Sequence, residues 1–242
     1  MIDILDVHTH TLASGHAYNT MWEMAREAAE KGLQLLGITD HAPQMPGSSH
    51  EYHFSNLRVA PRELFGLVLL HGSELNILDD KGSVDLSREV LSEMDLTIAS
   101  LHPPCYTPGT KKQNTQAYLR VMDNPYINIV GHPDDGRYEV DYTELVKAAK
   151  ETHTLLEINN NSLNPRGFRK GARENDIQML ELCAEYEVPV IMGSDAHIAT
   201  EIGNHARVVS IMEEIHFPEQ LVVNRSVEEL MKFVNYRKQE RA

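Results

Sequence analysis

Ile2-Asp3-Ile4-Leu5-Asp6-Val7-His8-Thr9-His10 is a short apolar run that delivers two histidines separated by one residue. In an extended chain the side chains at i and i+2 leave the same face, so His8 and His10 can converge on one point. Neutral imidazole is a ready transition-metal ligand, and two of them at one strand end make half of a zinc site. A lone H-x-H pair arises often by chance, so its weight depends on where the other histidines and acids fall.

Outward from this strand the chain alternates apolar runs with amphipathic stretches. Asn19 is expected to cap a helix carrying Met21, Met24, Ala25 and Ala28 on one face, with Gly32 just past its end. Leu35 to Thr39 reads as a second strand ending in Asp40-His41, and residues 43–56 read as an exposed loop, a lid over a site. The run from Leu67 leads to Glu74, and a helix is expected around Leu86 to Met94. Leu96 to Ala99 ends at His102, a helix is expected near Thr115 to Met122, and Ile127 to Val130 ends at His132. Asp141 with Glu144 starts the next helix, Leu155 to Asn159 is a sixth strand, and Val188 to Met192 a seventh, ending in Gly193-Ser-Asp-Ala-His197. Ser226 and Glu229 cap a last amphipathic helix through Leu230, Phe233 and Val234.

Strands alternating with helices are the signature of βα units around a parallel sheet. His10, His41, Glu74, His102 and His132 are separated by 31, 33, 28 and 30 residues, and one βα repeat takes roughly that length. No linker or low-complexity tract interrupts the pattern, so a single α/β domain over residues 1–242 is expected. In a βα-barrel the C-terminal strand ends open onto one face, which brings all these residues around a single pocket.

Composition narrows the function. The formal charge of −14 argues against a broad nucleic-acid footprint. No stretch has the apolar length of a membrane span, and Cys105 and Cys183 cannot build a disulfide framework, so the cytoplasm is the expected location. Thirteen histidines accompany a single tryptophan. Of these, His50, His53, His71, His153, His205 and His216 fit no strand end and are read as surface or packing residues.

His8, His10, His16, His41, Glu74, His102, His132, Asp195 and His197 remain as candidate ligands, with Asp40 in an orienting role. One zinc uses about four protein ligands, so nine imply two or three ions. Three divalent ions carry +6 and the two carboxylates return −2, leaving a pocket that wants a phosphate. Metal-bound water ionises near neutrality and adjacent ions clamp the attacking and leaving oxygens. Arg169, in a basic loop with Arg166, is expected to bind the substrate phosphate through its planar guanidinium. A solvated positive loop would explain Arg166 equally well.

At these residues the chain resembles the PHP (polymerase and histidinol phosphatase) family, and within it the YcdX-like branch of probable phosphatases. The resemblance rests on Asp6-Val-His8-Thr-His10, Ala13-Ser-Gly-His-Ala-Tyr18, Ile38-Thr-Asp-His41, Glu74, His102, His132 and Gly193-Ser-Asp-Ala-His197. Glu157-Ile-Asn-Asn160 and Arg169-Lys-Gly171 extend it. It implies a distorted (β/α)7 TIM-like barrel with a trinuclear site and phosphoesterase activity on a small phosphorylated substrate. The metal is usually zinc, three per chain, with manganese or iron as substitutes, and the branch implies a homotrimer. By resemblance His8, His10, Glu74 and Asp195 hold one ion, His16, His41 and His197 a second, and Glu74, His102 and His132 the third. The competing activity is a nuclease or phosphodiesterase, against which the acidic charge counts. A metal-holding protein with a relic barrel would be expected to have lost ligands, and none is missing.

Overall fold

Hydrophobic periodicity sets the order of elements in the computed structural model, which describes residues 1–240, with side chains through Val234. Residues 241 and 242, the end of the expected domain, lie outside the described residues. The strands are β1 (Leu5–Asp6), β2 (Leu35–Ile38), β3 (Glu63–Leu64), β4 (Leu67–Asn76), β5 (Leu96–Ser100), β6 (Ile129–Val130), β7 (Leu155–Asn159) and β8 (Val190–Gly193). Between and after them come α1 (Met21–Glu30), α2 (Glu51–Ser55), α3 (Arg88–Ser92), α4 (Lys111–Met122), α5 (Tyr142–Thr152), α6 (Ala172–Tyr186), α7 (Ala206–Glu214) and α8 (Val227–Glu240).

Seven strands pair in parallel in the order β1-β2-β4-β5-β6-β7-β8, and β3 folds back antiparallel on β4. Leu5, Leu35, Leu96, Ile98, Ile129, Leu155 and Ile191 pack inside the barrel, where Leu230 and Val234 of α8 join them. A second apolar layer lies between the sheet and the outer helices. The result is the distorted TIM-like barrel that the spacing and the resemblance implied.

The distortion is concentrated where β8 meets β1. Only a short bridge joins Thr9 to Ala196, with His10 N donating to Ala196 O at 2.9 Å. Below it the gap is spanned by the buried amide of Asn224. Its Oδ1 accepts from Met192 N at 2.7 Å, and its Nδ2 donates to Leu5 O and Met192 O at 3.1 and 2.9 Å. One side chain thus satisfies backbone groups that a strand pair would otherwise satisfy.

Several local expectations are corrected. Thr20, not Asn19, caps α1: its hydroxyl accepts from Glu23 N while Glu23 reaches back to Thr20 N, a full capping box. Asn19 instead accepts from Ala199 N. The segment 43–56 is not simply an exposed loop, since it contains α2, capped by His50, and buries Met45 and Phe54. The helix expected around Leu86 to Met94 is only Arg88–Ser92. The one expected from Thr115 starts at Lys111, because Thr110 and Gln113 form another capping box.

Candidate metal centre

Strand ends, with the loop after β1 supplying His16, bring all nine candidate ligands to one end of the barrel. Glu74 stands in the middle, fully buried near the end of β4. Its two oxygens face different histidines. Oε2 lies 3.3 Å from His8 Nε2, 3.6 Å from His10 Nε2 and 2.7 Å from His41 Nδ1. Oε1 lies 3.1 Å from His102 Nε2 and 2.8 Å from His132 Nε2. Asp195 Oδ1 completes the floor, 3.3 Å from His10 Nε2 and 3.9 Å from His8 Nε2. His16 lies at the exposed rim, its ring centroid 4.9 Å from that of His41 and 4.8 Å from that of His197.

Three triads have ligand atoms all within 4.8 Å of one another: His8/His10/Glu74, His41/Glu74/His102 and His10/His41/His197. His10 and His41 each join two triads, so the groups interlock more than the partition implied by the resemblance. His8 Nε2, His10 Nε2, His41 Nδ1 and Glu74 Oε2 are buried without a hydrogen-bond partner. Orphaned buried polar atoms of this kind are costly unless something binds them. A cluster of imidazole nitrogens around a carboxylate suits zinc and other first-row divalent ions. The residues present fit such ions.

The opposite ring nitrogens are held by a surrounding layer. His8 Nδ1 donates to Glu157 Oε1 at 2.6 Å, and His102 Nδ1 to Asn76 Oδ1 at 2.7 Å. His10 Nδ1 donates to Ser14 Oγ at 3.0 Å, and Ser14 in turn donates to Asp40 at 2.7 Å. Each bond fixes the tautomer that turns the free nitrogen inward. Asp40 therefore orients, as its place beside His41 suggested, but it does so for His10 through Ser14.

Sequence reasoning singled out Glu157 only as part of the resemblance and gave it no role in the site. This acid is buried in the middle of β7, accepts from His8 and also from His132 N at 2.8 Å. The available signal was an acid inside an otherwise apolar strand, which must have a partner to be buried at all. Its neighbour Gly193 has no room for a side chain, because a Cβ there would overlap Glu157 Oε1. Two candidates sit in the left-handed backbone region that L-residues rarely adopt, His132 at φ +29° and Asp195 at φ +55°. Such strain persists where the surroundings over-determine it, often at functional sites.

Burial pushes the Glu74 carboxyl up, but His102, His8 and His41 more than reverse this and hold it well below the usual range. Asp195 is treated alike by His8 and Arg169. His8 is held well above the ordinary imidazole value, since Glu157, Glu74 and Asp195 outweigh its burial. Burial and the nearby His197 and His41 push His10 well below that value.

Above the cluster opens a cavity of about 460 Å³. Its floor is His41, His102, His132, Asp195 and His197, with His16 at its edge, and its walls include Arg169, Arg137, Asn161, Met45, Leu101, Pro103, Pro104 and Phe168. Arg169 spends Nη1 on Asn159 Oδ1, Ser162 Oγ and Asp195 Oδ2, and Nη2 on Asp195 Oδ2, all at 3.0–3.1 Å. Its Nε is buried and unpaired. Arg166 lies outside this cavity and lines a neighbouring one with Arg207. A larger cavity of about 610 Å³ around Ser162 and Ser210 contains none of the candidate histidines.

The two acids of the Pro133-Asp-Asp-Gly136 turn diverge. Asp135 binds the Arg137 guanidinium. Asp134 turns inward and is buried with Asp176 of α6, and neither carboxylate accepts a hydrogen bond of acceptable geometry. His205 and His71, read from the sequence as surface or packing residues, are both buried. His205 donates to Asp3 at 2.7 Å, and His71 Nε2 donates to Pro61 O at 2.8 Å.

Comparison with known proteins agrees with this architecture. The PHP domain family matches residues 6–164, and a family described as PHP-associated matches residues 173–224. A protein of Clostridium novyi named probable phosphatase is 45% identical over 231 residues, which cover 96% of this chain and 94% of that one. One of Acetivibrio thermocellus with the same name is 42% identical, covering 98% and 97%. Among solved structures, histidinol phosphate phosphatase from Lactococcus lactis, complexed with zinc, L-histidinol and phosphate, superposes with a TM-score of 0.60. At 18% identity over 90% of this chain and 95% of that one, this likeness concerns the fold.

Proposed function

The chain belongs to the PHP domain family, and from that premise we propose that it is a metal-dependent phosphomonoesterase acting on a small phosphorylated substrate. The observation that carries this reading is Glu74, whose two oxygens face two separate sets of buried histidines. One carboxylate so placed can serve two cations at once, which an imidazole with one free nitrogen cannot. His8, His10, Glu74 and Asp195 would hold one zinc, Glu74, His102 and His132 another, and His16, His41 and His197 a third, with manganese or iron as substitutes. When bound, the ions supply an activated water and neutralise charge on the transferring phosphoryl group.

The chain's own residues do the rest. Glu157, Asn76 and Ser14 lock the rings of His8, His102 and His10, so the donor set is rigid before substrate arrives. Arg169 lines the cavity and would stabilise phosphate oxygens with its guanidinium. The relatives named probable phosphatase and the zinc, L-histidinol and phosphate held by the Lactococcus structure support the same chemistry. A homotrimeric assembly belongs to this reading through the resemblance, and a cytoplasmic location through the scarcity of cysteine. Among the described residues no helix is long and apolar enough to cross a membrane.

The test is turnover by zinc- or manganese-loaded protein of p-nitrophenyl phosphate against single-stranded DNA, with and without chelator. Chelator-sensitive release of p-nitrophenol with intact DNA is expected. Cleavage of DNA alone would point to a nuclease, and no turnover of either would overturn the enzymatic reading.

A further inference from the structure

The cavity above the cluster has an apolar wall, built by Met45, Leu101, Pro103, Pro104 and Phe168. A second pocket of about 310 Å³ shares Asn161, Asp195 and His197 with it and is lined differently. Ile198 is its only apolar side chain among the described residues, and Arg166, Arg207, Asn160 and Asn164 line it too. The chain carries a net charge of −14, and Arg62, Arg137, Arg169 and Arg173 all have carboxylate partners. The guanidiniums of Arg166 and Arg207 have no ion pair or hydrogen bond among the described residues. Asn160 is only 2% exposed. Its Oδ1 accepts from Arg207 N at 2.9 Å, and Asn164 Oδ1 accepts from Arg166 N at 3.1 Å. Both amides therefore keep their NH2 groups for the pocket, and neither NH2 donates to a partner among the described residues. A buried donor is costly until something accepts from it. Glu201 is the one acid in the lining besides Asp195, and Asn204 Nδ2 already donates to it at 2.8 Å.

We infer that this pocket holds a second oxyanion of the substrate, so that the substrate is a phosphomonoester whose alcohol itself carries a phosphate or a carboxylate. Two free guanidiniums and two free amide NH2 groups are the donors that such a group needs, and a guanidinium meets it through a planar fork. A neutral alcohol would leave both cations uncompensated, and an amino alcohol would meet like charge. Because Asn161, Asp195 and His197 line both spaces, one ligand can set its scissile phosphate at the cluster and its far end against Arg166 and Arg207. The inference rests on the phosphatase reading above, and the experiment separates the two.

The α,ω-bisphosphates of propanediol, butanediol and hexanediol are each compared with the monophosphate of the same diol, so the paired esters differ only in the remote oxyanion. The ω-phosphoryloxy acids of the same chain lengths form a further arm, and the arm with the higher kcat/KM tells phosphate from carboxylate. Two scissile groups give a bisphosphate a statistical advantage of about twofold. In at least one chain length the dianionic ester is expected to exceed the monophosphate by about tenfold or more. Arg166→Gln, on an exposed loop, and Arg207→Gln should each cut that ratio about threefold or more. Ratios below about fivefold at every length, or a best ratio that both variants leave unchanged, overturn the inference while the phosphatase reading stands. If no ester turns over, the phosphatase reading fails, and calorimetric binding of the matching bisphosphonates and monophosphonates decides the pocket. A Kd about tenfold lower for a bisphosphonate, narrowed by either variant, upholds it, and equal values overturn it.

Discussion

Glu74 and Asp195 form one pair of buried carboxylates in this barrel, and Asp134 and Asp176 form another close by. All four are pushed up by burial. Histidines surround the first pair, joined at Asp195 by Arg169, and both members end well below the usual carboxylate range. At the second pair Arg169 is the charge that opposes burial, the two acids repel each other, and both end above that range. Desolvation is common to the pairs, so the donors around each one decide which stays ionised. A buried acid ringed by imidazoles is ready to bind cations. One facing another acid keeps a proton instead.

The largest effect should come from breaking the first pair. Glu74→Gln keeps the shape but removes the charge between the two histidine sets, and should lose more bound metal than His102→Ala and abolish turnover. The loss should exceed the 10–100-fold typical of residues that merely support a ligand. Elemental analysis with far-UV circular dichroism checks this, and equal loss of one ion in both variants would make Glu74 a terminal ligand.

Arg169 stands between the pairs, bonded to Asp195 and attracted by Asp134. Arg169→Ala should lower kcat/KM by about a hundredfold, the scale of losing one charged donor at a reacting group. Arg169→Lys should recover only part, since a point charge cannot reproduce the planar fork. Steady-state kinetics that match the wild type would show that the guanidinium only braces Asp195.

The smallest effect tests the second pair. A carboxyl whose folded-state pKa stands above its unfolded value contributes most below the unfolded value, and that contribution is lost as pH rises through the folded one. Asp176 is such a group, with an ordinary value of 3.8. Asp176→Asn removes the loss and offers Asp134 a donor. Its melting temperature should exceed the wild type's by a few degrees at pH 8 and match it at pH 4. Equal melting temperatures at both pH values would show the pair is not strained.

Strand ends were the legible part of this molecule. An i, i+2 alternation points His8 and His10 the same way, and a period near thirty residues carries the pattern to His41, Glu74, His102 and His132. Glu157 was harder, because β7 is buried on both faces and alternation says nothing about which neighbour an interior acid meets. Asp176 was hidden further, in a helix whose burial pattern depends on how α6 leans on α5. The apolar wall was least legible. Met45, Pro103 and Phe168 lie in three separate loops, and only the closed barrel makes them neighbours.

The seam at Asn224 has a consequence for how the protein comes into being. His8 and His10 are made long before their partners Asp195 and His197 and the amide that ties Leu5 to Met192. At about 5–20 residues per second, a ribosome needs roughly 10–40 s to go from His10 to Asn224. Through that interval the first strand is an unpaired edge on the β8 side, protected from association by its own Asp3 and Asp6. The barrel closes late and over a long sequence separation, a topology that folds slowly. The histidine cluster is then complete only once β8 and Asn224 have reached the first strand, late in folding.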